Sequence, residues 1–150
     1  MNVWDFSTRI TRRLLIWSVL SILFSSLTVF SANPLLRGLA IQFLAWGVID
    51  GAIAVFGARA SASKRAKIKE PERREGEEKE ARWLSRVLWI NTGLDILYIL
   101  GGFWLMQTWG MDNPLWRGHG IGIIIQGGFL LFFDLFHALA LQNMNNLKSH

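Results

Sequence analysis

Apolar residues are concentrated in four long runs along the chain, and each run is almost free of charge. A helix needs about 20 mostly apolar residues to cross the hydrocarbon core of a bilayer, and each run with its flanks is long enough. The runs are Leu14–Phe30 without a charge, Leu39–Ala58 with Asp50, Val87–Thr108 with Asp95, and Ile121–Gln142 with Asp134. The pattern therefore predicts four transmembrane helices.

The predicted fold is all-α, a polytopic membrane protein with a single membrane domain over residues 1–150. The expected spans cover about 14–32, 36–58, 84–107 and 118–141, with a charged loop at about 59–83. The first run also has features of a cleaved signal sequence. Its length, and its place in the repeat described next, favour a span that is retained.

A phrase of six residues occurs twice, as NPLLRG at Asn33–Gly38 and as NPLWRG at Asn113–Gly118. When the two halves of the chain are aligned on these phrases, polar positions in the apolar runs also match. The matched positions are Leu20–Phe24 with Leu94–Tyr98, Gln42 with Gln126, and Asp50 with Asp134. Three matches in the same order predict two tandem-duplicated helical hairpins in parallel orientation.

Each phrase has the residues that start a helix, because Asn is a strong N-cap and Pro is favoured at the first helical position. Arg37 and Arg117 then lie one turn inside their helices, at the depth of the lipid headgroups. The simpler interpretation is a helix start signal. The alternative is a site for an anion or lipid headgroup that uses both arginines beside two helix N-termini.

Basic residues indicate how the chain is oriented. Arg9, Arg12 and Arg13 precede the first run, and ten more Lys or Arg residues lie from Arg59 to Arg86. By the positive-inside rule, both termini and the middle loop are expected in the cytoplasm, for a multi-pass protein of the cell inner membrane. The sequence pI of about 10.2 therefore indicates this topology and attraction to anionic lipid headgroups, with no nucleic acid as partner.

The segment Ser61–Arg82 is rich in charge, with Lys and Arg in its first part and Glu in its second. Glu72–Leu84 has good helix formers and Arg/Glu pairs at helical spacing, so a helix is expected beyond Pro71. The simplest interpretation is a solvated cytoplasmic extension of the third span. The alternatives are a lipid-binding basic patch at Lys64–Lys69 or an arm that docks a partner.

Three ionisable side chains, Asp50, Asp95 and Asp134, lie inside the predicted spans. Ionisable groups in a membrane span are costly, so each one suggests a function. All three lie at similar depth from the cytoplasmic ends of their spans, which would let them meet around one cavity.

Other polar residues follow the aspartates at helical spacing, which predicts a polar seam along the bundle axis. They are Asn91 and Tyr98 near Asp95, Gln42 and Trp46 near Asp50, Gln126 and His137 near Asp134, and Ser18, Ser21 and Ser25 in the first span. We expect Trp46 to be a packing residue.

The predicted function is a small transporter or channel linked to protons or cations, because carboxylates and a histidine that share protons form a relay. Its candidate substrate- or ion-binding residues are Asp50, Asp95, Asp134, Asn91, Tyr98, Gln42, Gln126 and His137. The alternative is a non-transporting scaffold or accessory subunit with a cytoplasmic docking loop. In that case the polar residues only hydrogen-bond across helices, at about 0.6 kcal/mol each.

Other classes of chemistry have little support. The chain has no cysteine, which excludes disulfides and thiolate sites. Neither an enzymatic activity nor a cofactor is predicted, because the sequence has no phosphate loop, metal-ligand cluster or nucleophile triad. A membrane enzyme acting on a lipid would have only the carboxylates in its favour. Gly47 and Gly51 form a GxxxG pair that permits close helix approach, within one protomer or in a homodimer.

Two motifs link the chain to a known group of proteins. They are Trp46-Gly47-x-x-Asp50 in the second span and Asn91-Thr92-Gly93-Leu94-Asp95-x-x-Tyr98 in the third. With these motifs the chain resembles small four-span bacterial membrane proteins that are grouped only as a domain of unknown function. The resemblance covers most of the chain, and it implies the four-span fold without implying an activity.

Overall fold

The part of the chain that the structure describes forms four long helices with short connections between them. The computed structural model describes residues 2–69 and 72–146, with side chains described as far as residue 144. The helices are α1 (Val3–Thr28), α2 (Pro34–Lys67), α3 (Arg73–Gln107) and α4 (Pro114–Asn146). Each one is long and apolar enough to cross a membrane. The prediction of an all-α fold with four spans is therefore confirmed.

Asparagine side chains cap the two helices that begin at the repeated phrases. Asn33 Oδ1 accepts a hydrogen bond from the backbone N–H of Leu35 at 3.0 Å. Asn113 Oδ1 accepts the equivalent bond from Leu115 at 2.9 Å. Both phrases thus act as helix start signals at the same end of the bundle, which we call the NPL end. We call the opposite end, where α1 begins, the basic end.

Helix continues through most of residues 59–83, which we call the arm and for which the sequence predicts a charged loop. Helix α2 extends to Lys67, further than expected, and the start of α3 at Arg73 confirms the helix that is expected beyond Pro71. Ion pairs at i,i+4 spacing stabilise the start of α3, among them Lys79 Nζ with Glu75 Oε1 at 2.7 Å. The hydrogen bond from Lys79 lowers the pKa of the Glu75 carboxyl. Apolar runs mark only the part of a helix that lies in lipid, so they miss its continuation into water. Pro71 lies outside the described residues.

The main apolar core lies at the basic end. Helix α1 begins at Val3, well before the predicted span, and its first turns pack against α3 and α4. The buried members of this core are Val3, Trp4, Phe6, Ile10, Ala81, Leu84, Leu88, Ala138 and Leu141. An ion pair from Lys64 Nζ to the buried Glu80 Oε2, at 2.8 Å, joins the two halves of the arm beside it. The arm and the N-terminal segment therefore fold together with the spans.

Helices α2 and α4 form the centre of the bundle, while α1 packs on α2 and α3 packs on α4. Glycines allow the close approach on both sides. A Cβ on Gly47 would lie 3.2 Å from the Ser18 carbonyl oxygen, and a Cβ on Gly51 would lie 2.6 Å from Ser18 Oγ. On the other side, a Cβ on Gly127 would lie 3.0 Å from Tyr98 Cδ1. The GxxxG pair of α2 thus faces α1 of the same protomer.

The crossing of α2 and α4 at the NPL end consists of two reciprocal contacts. A Cβ on Gly38 would overlap the Leu115 carbonyl oxygen, and a Cβ on Gly118 would overlap the Leu35 carbonyl oxygen. These residues hold the third and sixth positions of both phrases, so each phrase makes the same contact with the other. A duplicated hairpin would give this arrangement, and the duplication itself stays a prediction.

Candidate functional site

Three buried aspartates come together inside the bundle from three different helices. Asp50 of α2, Asp95 of α3 and Asp134 of α4 are 1%, 8% and 7% exposed. Asp50 interacts electrostatically with Asp95, and Asp134 interacts with both of them. Like charges repel strongly where the dielectric constant is low. The fold therefore holds three acidic groups in one buried region, where any two that were charged together would repel each other. We call this region the carboxylate cluster.

Two of these carboxylates each have one oxygen without a hydrogen-bond partner. Asp50 Oδ2 and Asp95 Oδ2 are buried and unpartnered among the residues that the structure describes. A buried polar group left unsatisfied costs about 1–3 kcal/mol, and a charged one costs more. Such exceptions point to stored strain, to chemistry, or to a bound water or ion. The two oxygens are therefore the positions in the cluster where a proton or an ion would be held.

The third carboxylate has a protein partner on the neighbouring helix. The half-buried side chain of Asn91 hydrogen-bonds to Asp134. Asn91 precedes Asp95 by four residues, so both side chains lie on the same face of α3. Helix α3 thus supplies one acid to the cluster and supports the acid of α4.

A series of hydrogen bonds begins beside the cluster, at Tyr98, and leads toward the NPL end. The hydroxyl of Tyr98, which interacts electrostatically with Asp50, accepts a hydrogen bond from the indole N–H of Trp46. The same hydroxyl donates to Gln42 Oε1 at 3.3 Å. Gln42 Nε2 in turn donates to His119 Nδ1 at 3.0 Å, in the second turn of α4. Side chains of α2, α3 and α4 are therefore linked from mid-bundle to that end.

Gln126, the sequence match of Gln42, lies in a different contact. Its side chain is fully buried, its Oε1 accepts a hydrogen bond from Trp17 Nε1 at 2.8 Å, and its Nε2 donates to Ser21 Oγ at 3.2 Å. Both partners belong to α1, so the amide group of Gln126 attaches α1 to α4. The structure does not bring it together with the carboxylates.

His137 is also separate from the cluster, although it lies one turn from Asp134 on α4. Its Nδ1–H donates to the Phe133 carbonyl oxygen at 2.6 Å. Its Nε2 accepts a hydrogen bond from Arg13 Nη1 of α1 at 3.1 Å. Since both ring nitrogens have partners at the basic end, His137 is positioned as a link between α1 and α4.

The two arginines of the repeated phrases differ in their contacts. Arg117 donates from Nε to the Gly110 carbonyl oxygen at 2.9 Å and from Nη2 to the Met111 carbonyl oxygen at 2.7 Å. It therefore braces the connection between α3 and α4. Arg37 is exposed at the start of α2.

The chemistry open to this site is the binding and release of a proton or an ion. Among the described residues, no group of three His, Cys, Asp or Glu side chains is arranged to hold a metal ion. The carboxylates are thus close enough to influence one another electrostatically without forming a chelating set. A proton needs only one acceptor oxygen, and the two unpartnered oxygens supply two.

Sequence reasoning missed two residues of this region. Trp46 is a hydrogen-bond donor to Tyr98, where only packing is expected of it. His119 joins the series through Gln42. A signal existed for both. Trp46 lies four residues from Gln42 and from Asp50, on one face of α2, and His119 is the second residue of the predicted fourth span.

The fold and the site define the class: a small multi-pass membrane protein that encloses acidic side chains within a four-helix bundle. A family of unknown function, DUF6992, matches residues 13–135, and the chain belongs to this family. The match includes the first three predicted spans, most of the fourth and the three carboxylates of the cluster. No curated protein and no solved structure matches the chain.

Proposed function

We propose that this protein is a small non-enzymatic transporter or channel in which the carboxylate cluster binds and releases protons as part of a proton- or cation-linked flux. In this proposal the protein resides in the cell membrane with both termini and the arm in the cytoplasm, as its basic residues favour. Asp50, Asp95 and Asp134 are the exchanging groups. Asn91 orients Asp134 through a hydrogen bond, and the Tyr98 hydroxyl interacts electrostatically with Asp50.

The observation that carries the proposal is the pair of unpartnered oxygens on Asp50 and Asp95. If these side chains served only to join helices, their oxygens would have donors, as the amide of Gln126 has. Membrane hydrogen bonds contribute on average about 0.6 kcal/mol, which does not offset the cost of three buried acids. A group that must accept and lose a proton keeps one oxygen free of fixed donors.

The polar residues around the cluster suggest a route. Tyr98, Gln42 and His119 extend it toward the NPL end through hydrogen bonds. Tyr98 and His119 can each donate and accept protons. Gln42 lies between them and positions both side chains through hydrogen bonds. Asp134 and Asn91 mark the side of the cluster that lies nearer the basic end.

Proton flux into proteoliposomes tests the proposal. Purified protein is reconstituted with a pH-sensitive dye inside and an imposed potassium diffusion potential. Wild type is expected to acidify the lumen, and Asp50→Asn or Asp95→Asn is expected to lower the rate at least about tenfold, a loss typical of removing an acid–base group. Asp112→Asn removes an exposed acid in the connection before α4 and serves as the matched control.

Flux of other ions decides against the proposal or for it. Wild-type vesicles are assayed with protons, sodium and potassium in turn. Flux at the level of protein-free vesicles for all three, or equal rates for Asp95→Asn and wild type, contradicts a transport role for the cluster.

A second candidate function is a scaffold that recruits a partner through the arm. The observation in its favour is that the arm is a folded helical extension anchored to the core, with a 2.8 Å ion pair between Lys64 and Glu80. Its outer side carries exposed charged residues such as Arg74 and Arg82. A rigid charged surface of this kind suits a docking site.

The two candidates differ in what the arm variant Arg74→Glu/Arg82→Glu would do. Under the transport proposal its proton flux equals that of wild type, because the cluster is unchanged. Under the scaffold proposal neither protein conducts, and the variant loses a partner that remains bound to wild type through purification.

A further inference from the structure

A groove of about 580 Å³ lies on the side of the bundle between α1 and α4, away from the carboxylate cluster. Its walls are mostly aliphatic and aromatic, including Ile16 and Leu20 of α1 and Phe132 and Phe136 of α4. These four residues are 53%, 54%, 75% and 59% exposed, so the groove opens sideways from the bundle. In a bilayer such a surface contacts acyl chains.

An aromatic stack fixed by a hydrogen bond forms the floor of the groove. Trp17 stacks on Phe129 with ring centroids 3.7 Å apart, and its indole N–H is bound to the buried Gln126. Stacked aromatic rings fixed by a hydrogen bond have few alternative rotamers. The groove is therefore a preformed feature of the α1–α4 contact.

One end of the groove carries a positive charge. Arg13 lines it, and its Nη1 donates to Nε2 of His137, whose ring is fixed in turn by the Phe133 carbonyl oxygen. A guanidinium has five N–H donors in a planar fork that suits phosphate oxygens, and this bond uses one of them. Arg9 lies one turn earlier on the same face of α1.

Arg13 and the apolar walls of the groove lie at the depths in the bilayer that the phosphate and the acyl chain of a lipid occupy. Arg13 directly precedes the charge-free run Leu14–Phe30, so it lies at the boundary between headgroups and hydrocarbon. From Arg13 to Leu20 the groove follows α1 for about 10 Å at 1.5 Å per residue, the depth of the upper part of an acyl chain.

We propose that this groove is a binding site for one anionic phospholipid, with its phosphate on Arg13 and an acyl chain along Leu20 and Phe132. His137 positions the guanidinium and does not contact the lipid phosphate. The site uses none of the three carboxylates, so it stands or falls independently of the proposed proton flux.

Native mass spectrometry of the intact protein, released from nanodiscs of equal phosphatidylglycerol and phosphatidylcholine, tests the site. Wild type is expected to retain one phosphatidylglycerol in preference to phosphatidylcholine. Arg13→Gln is expected to weaken that retention about fivefold, the effect of one basic residue near an anionic headgroup. The matched control is Arg12→Gln, which removes the exposed neighbouring charge outside the groove wall.

A second pair of variants tests the groove without altering any charge. Leu20→Trp fills the groove and is expected to lower phosphatidylglycerol retention as much as Arg13→Gln does. Leu23→Trp adds the same bulk at a residue that is equally exposed, at 55%, on α1. Because all four changed residues are exposed, the variants are expected to keep the fold, which circular dichroism verifies.

Three results would overturn the proposal. One is the absence of any preference for phosphatidylglycerol in wild type. Another is an equal loss in Arg12→Gln and Leu23→Trp, which would show only general lipid contact. The third is displacement of the bound mass by millimolar inorganic phosphate, which would assign the charge to a free anion.

Discussion

At the scale of single residues, the carboxylate cluster combines burial with incomplete hydrogen bonding. Among the described residues, Asp50 and Asp95 each have one buried oxygen without a donor, whereas the buried Gln126 has partners for both polar atoms. A buried amide whose polar atoms are all hydrogen-bonded stabilises a fold, whereas a buried acid with an oxygen that lacks a donor destabilises it. Buried acids at such positions lower the stability of the fold, which a functional role would explain.

This difference predicts opposite effects on stability. Asp95→Asn keeps the shape of the side chain, removes the possibility of an unpaired charge and is expected to raise the melting temperature in detergent. Gln126→Ala leaves Trp17 Nε1 and Ser21 Oγ without their partner and is expected to cost roughly 1–3 kcal/mol. Thermal unfolding followed by tryptophan fluorescence measures both. A melting temperature lowered in Asp95→Asn as much as in Gln126→Ala would show that the acid serves the fold.

The polar residues also show where sequence reasoning stops at this scale. Helical spacing placed Asn91, Asp95 and Tyr98 on one face of α3, and the structure agrees. Spacing cannot tell which neighbouring helix a face meets, so it did not separate Gln126 and His137 from the cluster. That separation depends on two long side chains of α1: Trp17 hydrogen-bonds to Gln126, and Arg13 hydrogen-bonds to His137.

At the scale of helices, glycine positions determine how the spans pack. The α2–α4 crossing requires Gly38 and Gly118, because any Cβ there would overlap a backbone carbonyl of the other helix. A backbone atom cannot move aside as a flexible side chain can. The crossing therefore depends on both copies of the repeated phrase.

The reciprocal contact predicts equal effects for two substitutions. Gly38→Ala and Gly118→Ala are each expected to destabilise the bundle by about 1–3 kcal/mol, as overpacking does. Gly93→Ala on α3 is the control, because a Cβ there has no atom within 4 Å; it is expected to leave stability unchanged or slightly higher. Denaturation in mixed micelles compares the three, and a strong effect of only one of the first pair would contradict the reciprocal geometry.

The lengths of the helices illustrate the limits of a hydropathy pattern. The four apolar runs correctly predicted four helices, because the bilayer imposes a minimum apolar length. The same runs missed the first turns of α1 and most of the arm, where ion pairs and a small apolar core stabilise helices in water. Trp4, 3% exposed in that core, shows how far the folded part extends beyond the spans.

At the scale of the whole molecule, the bundle has two different sides. The cluster lies among α2, α3 and α4, and the proposed lipid groove lies between α1 and α4. Gln42 and Gln126, which the predicted repeat pairs with each other, make different contacts on the two sides. Gln42 contacts Tyr98 and His119, whereas Gln126 is bound to Trp17 and Ser21.

The central claim is that the three buried aspartates exchange protons with the aqueous phase, and infrared spectroscopy tests it most directly. The carboxyl bands of the reconstituted protein are recorded across the pH range for wild type and for the Asp50→Asn/Asp95→Asn/Asp134→Asn variant. The account predicts reversible, pH-dependent carboxyl signals in wild type that are absent from the triple variant and that shift in heavy water. Carboxyl signals that respond to pH identically in both proteins would contradict it.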